Sequence, residues 1–196
     1  MALKSTERTL RKCMRKLMRE KPFSKITVRE ICEIAEIGTR TFYRYYSDKY
    51  ALFEDTYVKD FYEKLNITEE TYLYDIYKKI ICQMYEEKDF FTHAVAVKGQ
   101  NGFCEILQDL LVPYLSSILT SDPYIDDVKD FYIRKDIQVL LYFIENWVKS
   151  DFKATPEELK EFIRLSSAVH GKWEYQLATK NVPEEYSLEK FLNNEW

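Results

Sequence analysis

The sequence predicts an all-α protein, a small three-helix head followed by a larger helical body, with about nine helices in total. Three observations carry this. The 196 residues include only 4 Gly and 5 Pro, so chain breakers are sparse. Apolar residues recur at three- and four-residue spacing, the period of one helix face. The strict apolar–polar alternation of a half-buried strand is missing from the pattern. With 46% hydrophobic residues, a chain of this length can bury a core without covalent staples.

The elements follow in order. The first helix is expected over 3–20. Leu10, Met14, Leu17 and Met18 form its apolar face, and Arg8, Arg11, Lys12, Arg15, Lys16 and Arg19 cover the rest. Pro22 ends it, because proline disfavours helix at the preceding residue, here Lys21. Phe23 and Ile26 are expected beneath the connection. Thr27-Val28-Arg29-Glu30 fits a capping box, with Thr27 as N-cap and Glu30 reaching back. Val28, Ile31, Cys32 and Ala35 give the stripe of a short second helix. Gly38 interrupts it, and a third short helix runs from Thr39 to about Tyr45. Ser47 is the expected N-cap of a fourth, in which Phe53, Tyr57, Phe61 and Leu65 recur every four residues.

In the body, Leu73, Ile76, Tyr77, Ile80 and Met84 mark a fifth helix. A short apolar sixth covers Phe90 to Val97, bounded by Gly99 and Gly102. Phe103, Ile106, Leu107, Leu110, Tyr114 and Ile118 mark a seventh. Pro113 falls inside it and should kink or divide it. An eighth helix is expected from about 125 to 150, ending near Trp147. Thr155-Pro156-Glu157-Glu158 then combines a cap, a proline at the first helical position and a glutamate at the third. The helix it opens passes through Leu159, Phe162, Ile163, Ser166, His170, Trp173 and Leu177. The last dozen residues read as a short helix or a tail.

Several function classes are disfavoured. Cys13, Cys32, Cys82 and Cys104 form no CxxC and have no histidine at metal-ligand spacing, so reduced thiols of a cytoplasmic protein are expected. No apolar run suggests a signal peptide or a membrane span. No glycine-rich phosphate loop, metal cluster or nucleophile–base motif is visible, so neither an enzyme nor a cofactor is expected.

Charge is unevenly placed. Residues 1–50 hold 13 Lys/Arg and 6 Asp/Glu, a net of +7, while the remainder holds 16 and 27, a net of −11. A basic head on an acidic body is the footprint of a polyanion partner, although a solvated basic face looks the same. Two short helices joined by a tight turn, behind a basic first helix, is the layout of a helix-turn-helix. The first of the pair would cross the nucleic-acid backbone and the second would enter the major groove. Ile31, Ala35, Ile37 and Phe42 supply an apolar underside. Thr39, Arg40, Thr41, Tyr43 and Arg44 supply a polar, cationic outer face.

These residues also carry a specific resemblance. Thr27-Val28-Arg29-Glu30-Ile31, Ala35, Thr41-Phe42-Tyr43-Arg44-Tyr45-Tyr46-Ser47-Asp48-Lys49 and Leu52-Phe53 together resemble the N-terminal signature of the TetR/AcrR transcriptional regulators, over about residues 10–55. A weaker likeness, in Trp147 and Thr155–Leu159, is to a Firmicutes-type branch that includes the dihydroxyacetone-kinase operon activator. The resemblance implies a DNA-binding domain over 1–48 and an effector-binding and dimerisation domain over 49–196. It implies phosphate contacts from Thr27, Tyr43 and Lys49, base reading by Thr39, Arg40 and Arg44, Tyr45 on the backbone nearby, and Thr41 within the same DNA-binding face. Arginine can pair bidentately with guanine, which favours Arg40 as a reader. Arg44 fits base or phosphate contact equally, and Phe42 reads as core.

Three positions depart from the pattern, one of them Arg40, which stands where a small residue is often found. Glu36 stands where glycine is usual, at a cost on the order of 1 kcal/mol for a left-handed turn. Gly38 stands where serine usually caps the recognition helix, and caps it less well. In the body, Tyr57, Phe61, Tyr77, Phe90, His93, Phe103, Tyr114 and Phe143 are candidates to line an effector pocket, or are ordinary core. Ile137, Leu140, Ile144, Phe162, Ser166, His170 and Trp173 are candidates for a dimer contact, or for internal packing. The resemblance thus implies a homodimeric repressor that reads a pseudo-palindromic double-stranded operator and is released by a small effector. The alternative is a transcriptional coactivator or protein-interaction module with weak DNA binding.

Overall fold

The structure is a computed structural model and describes residues 2–68, 71, 73–99, 101–118 and 123–166. Among them every regular element is helical: α1 (Ala2–Glu20), α2 (Val28–Ile34), α3 (Thr39–Phe42), α4 (Lys49–Asp60), α5 (Leu73–Glu86), α6 (Lys88–Ala94), α7 (Phe103–Ile118) and α8 (Pro123–Lys149). A ninth helix, α9, is described over 156–166. Single 3-10 turns at Phe23–Lys25 and Tyr62–Leu65 flank the head and the end of α4.

The chain forms two compact units, Met1–Pro156 and Glu157–Trp196. Residues 1–48 therefore share a unit with α4 to α8. The reason is α1, which packs against α4 and α6 as well as against α2. Its apolar stripe of Leu10, Met14, Leu17 and Met18 is at most 2% exposed. Burying four such side chains stabilises by several kcal/mol, at roughly 1.5–3 kcal/mol each. The same helix thus closes the head and starts the body. Elsewhere in this unit α7 packs on α8, and α6 touches both α5 and α8.

The repeat Phe53, Tyr57, Phe61 and Leu65 is buried throughout, although α4 ends at Asp60 and the chain continues as a 3-10 turn. Phe61 meets Phe90 at 4.5 Å and Phe91 at 5.1 Å between ring centroids, and Tyr57 meets Phe103 at 5.0 Å. Edge-to-face and offset contacts of this kind add to simple area burial.

Three local expectations are corrected. Asp48, not Ser47, caps α4: its carboxylate accepts from the Tyr50 and Ala51 amides at 2.8 and 2.9 Å. The helix begins at Lys49, so Asp48 holds the N-cap position and Ser47 lies one residue too early. Pro113 does not divide α7, which runs through it. The capping box at α2 forms only its first half. Thr27 Oγ accepts from the Glu30 amide at 3.2 Å, but the Glu30 carboxylate pairs with Lys21. His170, Trp173 and Leu177, expected on the last long helix, and the final dozen residues lie outside the described part of the chain.

Candidate nucleic-acid interface

The reading head is built from three local devices. Thr27 caps α2 with extended backbone (φ −117°, ψ 151°). The turn after α2 is a Schellman motif: the Ile37 amide reaches the Cys32 carbonyl at 3.0 Å and the Glu36 amide reaches that of Glu33 at 3.3 Å. That geometry requires a left-handed residue between them, and Glu36 takes it, at φ 54°. Gly38 then starts α3 in extended conformation (φ −77°, ψ 152°) with no side-chain cap. The glycine therefore sits where it is not needed, and the left-handed position has none.

Beneath α3, Phe42 is fully buried and sets the depth of the helix. Its ring meets Tyr43 and Tyr46 at 5.4 and 6.0 Å. Tyr46 is anchored in turn, donating its hydroxyl to Asp55 of α4 at 2.6 Å. Burial, then this bond to a carboxylate, pushes its phenol well above the usual range. The helix ends at Phe42, not near Tyr45 as expected, and 43–45 continue as a turn with the Arg44 and Tyr45 amides on the Thr41 and Phe42 carbonyls; with Phe42 and Tyr46 turned inward, the residues between them are left outside. Thr39, Arg40, Tyr43 and Arg44 are exposed, Tyr43 by 58%, and Thr41 and Tyr45 are half-buried. Arg40 and Arg44 have no protein partner among the described residues. Thr27 is exposed too, and its hydroxyl proton remains available while its oxygen caps α2.

Lys49 lies apart from this set. Its ammonium donates to the carbonyls of Phe23 and Ile26 at 2.9 and 2.8 Å and stands 4.5 Å above the Phe23 ring. Desolvation holds its pKa below the ordinary lysine value.

The basic face of α1 is redistributed as well. Arg11 pairs with Asp55 at 3.0 Å and Asp60 at 3.2 Å. Arg15 pairs with Glu87 at 2.9 Å and Asp60 at 3.7 Å, and its guanidinium lies 4.9 Å over the Phe61 ring. Arg19 pairs with the same Glu87. These three arginines form a ladder that ties α1 to α4 and to the start of α6. The reading by charge count missed it. The signal was there in the four-residue spacing of Arg11, Arg15 and Arg19, which places them on one face. Their acidic partners are distant in sequence and had no such mark. Arg8, Lys12 and Lys16 remain on the exposed face of α1.

Comparison with known proteins agrees with this architecture. The family profile described as "Bacterial regulatory proteins, tetR family" matches residues 14–56, and "Transcriptional regulator C-terminal region" matches 71–167. This chain belongs to the TetR family of bacterial regulators. Among solved structures, its fold is similar to the dihydroxyacetone kinase operon activator DhaS, with a TM-score of 0.60 and 16% identity, over 84% of this chain and 95% of that one. A TetR transcriptional regulator from Rhodococcus sp. RHA1 gives 0.56 and 11%, over 82% and 93%. Comparison with curated protein sequences returns no match. No helix among the described residues is long and apolar enough to cross a membrane.

The body of this TetR-family chain distributes the candidate pocket residues over several places. Tyr57, Phe61, Phe90 and Phe103 come together, joined by Phe91, and pack ring on ring. Burial pushes the phenols of Tyr57 and Tyr77 well up. Tyr114 instead donates to the carbonyls of Thr68 and Thr71 at 2.8 and 2.7 Å, clamping the connection before α5. His93 Nδ1 donates to the Met18 carbonyl at 2.6 Å, at the end of α1 where helix carbonyls lack intrahelical donors. Phe143 is half-buried beside Tyr142. A cleft of about 240 Å³ between α4 and α7 is lined by Glu54, Val58, Asn101, Ile106, Asp109 and Leu110, none of them predicted. Of the dimer candidates, the structure turns Ile137, Leu140 and Ile144 into the interior of their own unit. Among the described side chains of α8, Phe131, Val139 and Tyr142 are apolar and exposed. On α9, Phe162 is exposed and Ser166 half-buried.

Proposed function

We propose that this protein is a sequence-specific transcriptional regulator that binds DNA as a homodimer and is released by a small effector. One observation carries the reading most strongly: Thr39 and Arg40 on α3, and Tyr43 and Arg44 in the turn that ends it, are all exposed around buried Phe42. Such a face suits the major groove, with Arg40 reading a guanine edge, Arg44 on a base or phosphate, and Thr27 and Tyr43 as phosphate anchors. Thr41 and Tyr45 stand at the margin. A two-fold assembly would set two such helices about one DNA turn apart, on a pseudo-palindrome. Residues 1–48 act as the reading head and 49–196 as the effector and dimerisation domain. The exposed Val139 and Tyr142 of α8 support a contact between copies. An effector in the body would reach the head through α1, by way of the arginine ladder and the His93–Met18 bond.

Binding of the purified protein to its own upstream DNA tests this. Arg40→Ala should lower affinity by about 1–3 kcal/mol at one site position, and Tyr43→Ala should weaken all sites alike. Weak binding, indifferent to sequence and to Tyr43→Ala, would reject it.

A second reading, a coactivator or protein-interaction module with weak DNA binding, has its own support. Glu36 puts a carboxylate beside the reading helix, and Arg11, Arg15 and Arg19 are engaged internally. A stable protein partner recovered together with no specific operator would favour it.

A further inference from the structure

We propose that Asp55 of α4 is a positioning residue for base reading: through the Tyr46 hydroxyl it fixes the pose in which Arg40 and Arg44 meet the DNA. The inference rests on the DNA-reading function proposed above and assigns the aim of that face to a pair of side chains that stays off the DNA. Phe42 and Tyr46 are the inward side chains of the reading segment, with Tyr43, Arg44 and Tyr45 between them. Phe42 is fully buried, but burial is non-directional. It sets how deep the segment sits and leaves the segment free to turn. Tyr46 supplies the direction. Its hydroxyl donates to Asp55 Oδ2 at 2.6 Å, and the residue is 8% exposed. A hydrogen bond to a carboxylate is short, angular and stronger than a neutral one. Among the described residues, no other side chain of 39–46 hydrogen-bonds to another element.

Asp55 is itself held. Arg11 of α1 donates from Nη1 to the same Oδ2 at 3.0 Å, and from Nε to Asp60 at 3.2 Å. The guanidinium is a rigid plane, so its hold on two carboxylates of α4 places that oxygen. The reading segment, α4 and α1 thus meet on one atom. On the other side, the Tyr45 and Tyr46 amides both reach the Phe42 carbonyl, at 2.9 and 3.1 Å. Tyr46 therefore closes the turn that carries Tyr43 and Arg44, and a shift of its ring is passed to both. Its hydroxyl has one proton, which is on Asp55. A phosphate oxygen, being an acceptor, would need that same proton.

The test compares Tyr46→Phe, which removes one oxygen and keeps the buried ring, with Asp55→Ala and Asp55→Asn. On the protein's own upstream DNA, Tyr46→Phe should lower affinity about tenfold. On a scrambled duplex of the same length and composition its affinity should stay within about twofold, because phosphate attraction tolerates a loose pose and base-edge bonds do not. Asp55→Ala should match Tyr46→Phe, and the double variant should lose no more than either. Asp55→Asn keeps an acceptor for Tyr46 and should recover most of the specific affinity. In the free protein, Tyr46→Phe should speed hydrogen exchange of the Tyr45 and Tyr46 amides about tenfold and leave those of α1 unchanged. Equal loss on both duplexes would mean a lost backbone contact and overturns the proposal. Unchanged affinity on both, with or without a lower Tm, would leave the bond a purely structural one and overturns it too. If Asp55→Ala does not fold, Tyr46→Phe decides alone. If the unaltered protein shows no sequence preference on DNA, the DNA reading fails. The exchange measurement then decides whether Asp55 holds the segment, and unchanged exchange at Tyr45 and Tyr46 overturns that as well.

Discussion

Glu36→Gly should stabilise the protein and tighten DNA binding, by two separable effects. At φ 54° a residue with a Cβ is strained by about 1–2 kcal/mol. Glycine removes that strain but loses about 0.5–1 kcal/mol more conformational freedom on folding. The net gain is therefore about 0.5–1 kcal/mol. The backbone bonds that define the turn, from Ile37 to Cys32 and from Glu36 to Glu33, do not involve the side chain and should persist. For a chain of this size the gain corresponds to a rise of about 1–4 °C in Tm. Circular dichroism melts of the two proteins measure it.

The second effect is electrostatic. Glu36 is exposed at the edge of the reading face, and one fewer carboxylate near phosphates should raise affinity about twofold, fading as salt screens it. Glu36→Gln separates the two, since it removes the charge and keeps the Cβ. It should reproduce the affinity gain without the rise in Tm. A Glu36→Gly protein that melts lower than the original, or no higher than Glu36→Gln, would refute the assignment of strain to this turn.

Three further outcomes are expected. Gly38→Ser should raise stability by a few tenths of a kcal/mol by supplying the missing N-cap, because a Cβ there meets nothing within 4 Å and the backbone is already extended; a thermal melt checks it. Glu87→Gln should cost about 1 kcal/mol, as Arg15 and Arg19 lose a shared partner; a double-mutant cycle with Arg15→Met that came out additive would show the ladder contributes nothing. Glu145 is held below the usual carboxylate range, first by its hydrogen bond from Lys98 and also by the Cys104 thiol and Lys149. A depressed carboxylate stabilises above its ordinary value of about 4.5 and loses that contribution as pH falls through its lower folded value. Melts across the acid range should therefore show less acid-induced loss in Glu145→Gln than in the original.

Much of the fold was legible because its signals are local. The stripe of Leu10, Met14, Leu17 and Met18, the Thr27 cap and the Thr155-Pro156 start are each set within a few residues, and the structure forms the helices they announce. The head's outward face was legible for the same reason: with Phe42 and Tyr46 as core, Arg40 on α3 and Arg44 in the turn after it are left outside. What escaped depends on pairings between distant segments. Asp55, Asp60 and Glu87 look like ordinary surface acids until α4 and α6 pack on α1. Ile137, Leu140 and Ile144 read equally well as interface or interior, since periodicity identifies an apolar face without saying what covers it. His93 and Tyr114 looked like pocket groups, and their backbone partners at Met18, Thr68 and Thr71 lie 75, 46 and 43 residues away.

The fate of the basic residues connects these points. A net charge of +7 over the first 50 residues suggests a broad cationic surface. In the structure Arg11, Arg15 and Arg19 face acids of α4 and α6, Lys21 and Arg29 face Glu30 and Glu33, and Lys49 faces carbonyls. Charge engaged in this way couples elements instead of attracting DNA. The ladder is half-buried, so removing one partner leaves the others poorly solvated, and α1 should move with α4 and α6 as one body. Asp55 holds Arg11 on one side and Tyr46, just beyond α3, on the other, so any displacement of α6 relative to α4 should be felt at α3.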